Sequence, residues 1–285
     1  MRRRAFLKNS SFGLVASGSS LLLPQLPLAA PSGSLPKPKD FRTEPFRRMV
    51  ILGDSAVQGG PWLENQKDRY PDVLARLINL CQEKPIHYVN KGISNNCISP
   101  RSPGYDQSAK PSGLERYKKD VIERNPDLFI LAYGMNDMRA GMPIPEFRED
   151  MATIIRDVQK ACHPVTMLVN VYYITGYRSW SPLDKGSIER SLAFNDCIRG
   201  LAQEYTCILA DVWDSEKGTD WLVHYDGIHA NKVGNLIIAN RIFEALAVHA
   251  SGLTVSTFAQ DRKSQWTTVT LERREADGDP FKKTW

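Results

Sequence analysis

The 285-residue sequence is short of several things, and each shortage closes off a class of function. Its five cysteines, Cys81, Cys97, Cys162, Cys197 and Cys207, contain no Cys-x-x-Cys, which excludes the common zinc and thioredoxin-like spacings. Their odd number leaves at least one thiol unpaired in a monomer, and no disulfide pairing is assigned. There is no His-Glu-x-x-His, no glycine-rich phosphate loop and no dinucleotide glycine fingerprint. The Gly-x-Ser-x-Gly elbow of the larger α/β-hydrolases is also missing. The apolar stretch from Phe12 to Leu28 is broken by Pro24 and Pro27, short of the roughly 20 residues a membrane span needs. The net positive charge is concentrated in one place. Of the net +5, four charges are Arg2, Arg3, Arg4 and Lys8, in a first thirty residues without an acid. The near-neutral body gives no reason to expect nucleic acid or an anionic membrane as partner.

Residues 1–30 are laid out as an export signal: a cationic start, a moderately apolar middle and small residues at Ala29 and Ala30. Arg3-Arg4-Ala5-Phe6-Leu7-Lys8 resembles the twin-arginine motif of bacterial signals, with Arg2 where serine or threonine is usual. The expectation is a bacterial periplasmic or extracellular protein, without stable membrane insertion once the signal is removed. Residues 31–47, rich in Pro, Ser and Lys, read as a linker.

From Arg48 a regular alternation begins. Met49–Leu52, Ile86–Asn90, Leu128–Tyr133, Val165–Tyr172 and Cys207–Asp211 are short apolar runs suited to buried strands. Between and after them lie amphipathic stretches: Asp72–Cys81, Leu114–Arg124, Pro145–Ala161, Ser187–Tyr205 and Lys232–His249, the last capped by Asn231. Five strands alternating with helices predict an α/β fold with a five-stranded parallel sheet covered on both faces. The domain is placed at 48–250. Residues 251–285 form a tail of unassigned role, in which Trp266–Leu271 has a strand-like pattern.

Four fragments fall at the loops where such sheets build their sites. They are Gly53-Asp54-Ser55, Asn90-Lys91-Gly92, Gly134-Met135-Asn136-Asp137 and Asp226-Gly227-Ile228-His229. A serine hydroxyl is a weak nucleophile until a base takes its proton. Asp226 and His229, three residues apart, can share one side of a turn, so the carboxylate orients the ring while the ring faces Ser55. Asn136 and the N–H groups of Ser55 and Gly92 can donate to an oxyanion. Asp54 and Asp137 are expected to support their loops. The other histidines are less well placed: His87 lies on a strand, His163 and His249 at helix ends, and His224 shows no carboxylate in the same arrangement. A metal set of His224, Asp226 and His229 is the weaker alternative.

As a set, these fragments resemble the blocks of the SGNH, or GDSL-like, hydrolase superfamily, over about residues 48–250. The resemblance implies a flavodoxin-like three-layer αβα sandwich. It also implies ester hydrolysis through an acyl-serine, without metal or organic cofactor. The catalytic residues would be Ser55, Asp226 and His229, with Ser55, Gly92 and Asn136 forming the oxyanion hole. Two departures are the lack of a second glycine soon after Gly92, and Ala230 where a proline often follows the histidine.

The substrate is less constrained. Loop 93–113 carries Tyr105, and loop 172–186 carries Tyr173, Tyr177, Arg178 and Trp180. Aromatic faces among polar groups suit sugar rings better than a long acyl chain, although the same aromatics can simply pack the loops down. The leading expectation is an exported esterase removing small acyl groups, acetyl above all, from carbohydrate. A lipolytic or lysophospholipase-type esterase, an acyltransferase and a non-catalytic glycan-binding module are the alternatives.

Overall fold

Strand β1 (Arg48–Gly53) sits at the inner position of the sheet because Met49, Val50, Ile51 and Leu52 are apolar on both faces. All four are fully buried, each contributing roughly 1.5–3 kcal/mol. The computed structural model describes residues 37–216 and 218–254. The leader, the Trp266–Leu271 pattern and the rest of the tail lie outside the described residues. Strands β2 (His87–Gly92), β3 (Leu128–Ala132), β4 (Val165–Val169) and β5 (Ile208–Ala210) complete a wholly parallel sheet in the order β2-β1-β3-β4-β5.

Helices cover both faces as the periodicity requires. On one side lie α2 (Tyr70–Leu80), α7 (Val212–Glu216) and α8 (Lys232–Val248). On the other lie α3 (Gly113–Asp120), α5 (Ile144–Cys162) and α6 (Ile188–Glu204). In α5 the predicted face, Phe147, Met151, Ile154, Ile155 and Val158, is fully buried. At the start of α8, Asn231 Oδ1 accepts from the Val233 and Gly234 N–H groups at 3.0 and 3.1 Å. Two four- to six-residue helices, α1 (Ser55–Gln58) and α4 (Met135–Ala140), follow β1 and β3 and are too short to show a period.

The expected elements are present, and three boundaries differ for identifiable reasons. Strand β4 stops at Val169 because Asn170 turns its side chain to other work, accepting from Val212 N–H at 2.8 Å and donating to Asp211 at 2.7 Å. The stretch expected as one helix to Arg124 ends at Asp120 and tightens into a 3₁₀ turn over Ile122–Arg124, with Asn125 left-handed ahead of Pro126. Residues 38–47, within the 31–47 stretch expected as linker, pack on the domain. Phe46 is buried, Phe41 N–H reaches His249 O at 2.8 Å, and Gly252 N–H reaches Arg42 O at 3.0 Å. Gly252 packs so tightly on Glu44 that a Cβ would lie 2.3 Å from its carbonyl oxygen, so the domain also runs past residue 250.

Glu216, at the end of α7, is 2% exposed, and its Oε1 has no partner among the described residues. Burial pushes its carboxyl from the ordinary 4.5 up to about 8. The folded chain therefore keeps a proton there that the unfolded chain releases. The resulting stability is fully present below the unfolded value and is lost as pH rises through about 8. Glu216→Gln, neutral at every pH, is expected to match the wild type in Tm at pH 5 and to exceed it at pH 9. Parallel Tm curves across that range would refute the assignment.

Candidate active site

Strands β1, β2 and β3 end at one level, since Gly53 is in register with Gly92 on one side and Ala132 on the other. Chain order reverses across β1, so the loops leaving these three strands open a crevice at their carboxyl ends. Each loop carries one of the fragments singled out in the sequence.

Ser55 opens α1 directly after β1. Asp54 caps that turn, its Oδ1 accepting Ala56 N–H at 3.0 Å, and burial pushes its carboxyl up to about 6. The Ser55 N–H has no hydrogen-bond partner among the described residues, and the positive end of α1 points with it. His229 Nε2 lies 2.9 Å from Ser55 Oγ, and His229 Nδ1 lies 2.8 Å from Asp226 Oδ2. The other Asp226 oxygen accepts the N–H groups of Ile228 at 2.8 Å and His229 at 3.0 Å. This turn is closed by a bridge between Val223 and Ala230. It is braced from loop 172–186, where Thr175 and Gly176 donate to Gly227 O at 3.0 and 2.6 Å.

Burial works to raise the Asp226 carboxyl, but the His229 N–H and ring and the Ile228 N–H outweigh it and hold the group at about 2. Burial lowers His229 below its ordinary 6.5; the Asp226 contact opposes this, while His224 and Arg139 add to it. At neutral pH the ring is therefore an uncharged acceptor facing a hydroxyl, beside an ionised carboxylate. That is the arrangement needed to take a proton from serine.

His224 was expected to lack a carboxylate, and the structure corrects this. Its Nδ1 lies 3.2 Å from Asp226 Oδ2 and 3.3 Å from the Asp226 N–H. The turn that carries His229 folds back on itself, His224 N–H donating to His229 O at 2.7 Å, so two imidazoles lie beside one carboxylate. Among the described residues no group of His, Cys, Asp or Glu is placed to hold a metal ion, the imagined His224, Asp226 and His229 set included.

Asn136, in α4, is buried with Nδ2 donating to Asn96 O at 2.8 Å, which leaves its second amide hydrogen to the crevice. Gly92 is close by but does not offer its N–H, which donates to Asn90 Oδ1 at 2.8 Å. Its lack of a side chain answers a different need: a Cβ there would lie 2.1 Å from the backbone nitrogen of Gln58. Farther along the same loop, Asn95 adopts a left-handed φ of 52°, and its N–H has no partner among the described residues. Asp137 supports the loop, accepting Ile98 N–H at 3.1 Å, with burial pushing its carboxyl up to about 7.

Two further residues were not singled out by sequence. Arg116 is buried beneath the crevice and binds Gly53 O at 2.9 Å, Lys91 O at 2.8 Å and Tyr133 Oη at 2.6 Å, tying the ends of β1 and β2 to the loop. Trp62 stacks on His229, ring centroids 3.5 Å apart and planes 6° from parallel. The 3.6-residue spacing placed Arg116 only on a polar helix face, and nothing about an isolated loop tryptophan marks it.

The sequence model of the GDSL-like lipase/acylhydrolase family matches residues 51–237. No curated protein sequence matches the chain. Among solved structures, a lipase/acylhydrolase from Enterococcus faecalis is similar at 20% identity over 70% of this chain and 94% of that one, with a TM-score of 0.56. An α/β hydrolase from the metagenome of Lake Arreo is similar at 20% identity over 73% and 98%, TM-score 0.56. An acetylxylan esterase from Geobacillus stearothermophilus is similar at 17% identity over 72% and 96%, TM-score 0.55. At these identities the likeness is one of fold.

Proposed function

We propose that this chain, which belongs to the GDSL-like lipase/acylhydrolase family of ester-hydrolysing enzymes, is an exported serine esterase that removes acetyl groups from carbohydrate. The observation that carries the catalytic part is the unbroken path of hydrogen bonds Ser55–His229–Asp226, at 2.9 and 2.8 Å. Ser55 Oγ attacks the ester carbonyl as its proton passes to His229 Nε2. The oxyanion of the tetrahedral intermediate takes hydrogen bonds from the Ser55 N–H and the Asn136 amide. Asn95 N–H replaces Gly92 as the third donor, because the Gly92 N–H is already committed. The alcohol departs with the proton from His229, and water then releases the acid from the acyl-serine by the same route.

We place the acyl group at a small cavity. Beside Asn136 and Asn95 lies a cavity of about 20 Å³, bounded by Cys97, Ser102, Leu183 and Trp180. This holds about one water-sized group, which accommodates a methyl and not a chain. The alcohol side is open and aromatic: Trp221 is 78% and Tyr225 94% exposed, flat faces on which a sugar ring can stack. The acetylxylan esterase of the same fold is consistent with this reading. Export is supported by the residue 1–30 pattern alone, and the mass of the mature chain recovered outside the cytoplasm tests it. No helix among the described residues is long and apolar enough to cross a membrane.

Hydrolysis of p-nitrophenyl acetate, p-nitrophenyl octanoate and acetylated xylan, each with a Ser55→Ala control, decides the substrate. Serine-dependent release confined to acetyl esters is expected. Preference for octanoate would replace this reading with the lipolytic one. Asn136→Ala should lower kcat about a hundredfold or more with little change in KM, because its amide acts on charge present only in the transition state. A loss in KM alone would remove Asn136 from the oxyanion hole.

A further inference from the structure

The mechanism leaves one contact to the catalytic base unused. Trp62 lies face to face with the His229 ring at a centroid separation of 3.5 Å and 6° from parallel. Its loop is built to hold it there. Gln66 Nε2 donates to Gly60 O at 2.7 Å and Leu63 O at 3.2 Å, Leu63 is buried, and Arg69 Nη1 donates to Gln58 O at 2.6 Å. Gly60 leaves the space the indole occupies: a Cβ there would lie 2.1 Å from Trp62 Cζ3.

We propose that Trp62 is a positioning residue whose indole face stabilises the imidazolium formed on His229 each time it holds a proton. The negative face of an aromatic ring attracts a cation in van der Waals contact, and does so more strongly where water is excluded. Neutral His229 gains little from the same face, so the benefit appears when charge develops. This rests on the reading of His229 as the base and extends it to the neighbour that sets its basicity.

The charges around His229 do not supply this stabilisation in excess. Asp226 favours the imidazolium from its own loop, whereas His224 beside it and Arg139 from α4 oppose it. Asp54, before Ser55, is buried with its carboxyl raised to about 6. On the tryptophan's own loop, Asp68 is paired with Lys232 at 3.1 Å, and Asp72 pairs with Arg69. Trp62 is the uncharged group that favours the protonated ring.

The test is the pH dependence of kcat and KM for p-nitrophenyl acetate in the wild type, Trp62→Phe and Trp62→Leu. Phe keeps an aromatic face, while Leu leaves an apolar side chain over the ring without one. The acid limb of kcat/KM reports the base in the free enzyme. In the Leu variant that limb is expected about half to one pH unit below the Phe variant, with plateau kcat about three- to tenfold lower and KM little changed. Phe should restore most of both. Coincident limbs and plateaux in Phe and Leu variants would overturn the proposal, as would a limb displaced upward by Leu, the result expected if Trp62 only excludes water. Should the Leu variant not fold, Gly60→Ala crowds the indole off the ring and carries the same expectation. A Ser55→Ala protein that retains activity would instead remove the reading of the base itself, so the two failures are distinct.

Discussion

Ser55→Ala abolishes ester turnover and leaves the fold standing: the expected loss in kcat is about a millionfold, the scale seen when a triad serine is removed. Ser55 is the single hydroxyl within hydrogen-bonding distance of His229 Nε2 among the described residues, so no neighbour can take over the attack. The fold survives for a local reason. Ser55 is the first residue of α1, where its side chain faces the crevice and alanine is at least as good a helix former. The Asp54 cap, which organises the turn, is untouched. Turnover and thermal melting measured on the same preparation check the expectation. A well-folded Ser55→Ala protein with a tenth of wild-type kcat would sink the acyl-serine mechanism.

Asp226→Asn should cost about ten thousandfold in kcat by altering one proton's address. Asp226 Oδ1 accepts two backbone N–H groups, from Ile228 and His229. An asparagine keeps those bonds by placing its carbonyl oxygen there, which turns its NH₂ toward His229 Nδ1. The ring must then accept at Nδ1 and carry its proton on Nε2, so it can no longer accept one from Ser55. His224 does not rescue the tautomer, because it reaches the carboxylate and not the His229 ring. Measuring kcat for p-nitrophenyl acetate from pH 6 to 9 checks this. A loss under tenfold across that range would show that Asp226 does not set the His229 tautomer.

Much of the fold was legible because its signals are local. Met49–Leu52 is apolar on both faces and ends in glycine, which defines a buried strand and its carboxyl end together. Once three such ends were placed, the fragments carrying Ser55 and Asn136 had to converge, and register at Gly53, Gly92 and Ala132 brings them to one level. The misreadings concern properties that residue type does not encode. Glycine at position 92 is required, but by the backbone of Gln58 rather than by an oxyanion, and the same letter serves both purposes. Asn95, proposed as a donor, adopts a left-handed backbone, yet in sequence it looks like any polar loop residue. Asp226 was assigned one histidine because spacing along a turn shows which residues can meet, not which others the turn folds back upon. Residues 31–47 read as linker from their prolines and lysines, yet Phe46 is anchored in the core.

The Ser55–His229 hydrogen bond joins positions 174 residues apart, an interval that includes four of the five strands. Contacts of such separation form late in folding, after the loop entropy between them has been overcome. Recovery of turnover after denaturation therefore marks closure of the whole chain rather than pairing of its strands. No fragment that stops before His229 holds a working site, however completely its sheet has assembled. A cell that makes this protein from the amino terminus gains its chemistry only at the end of the domain, with the last turn before the last helix.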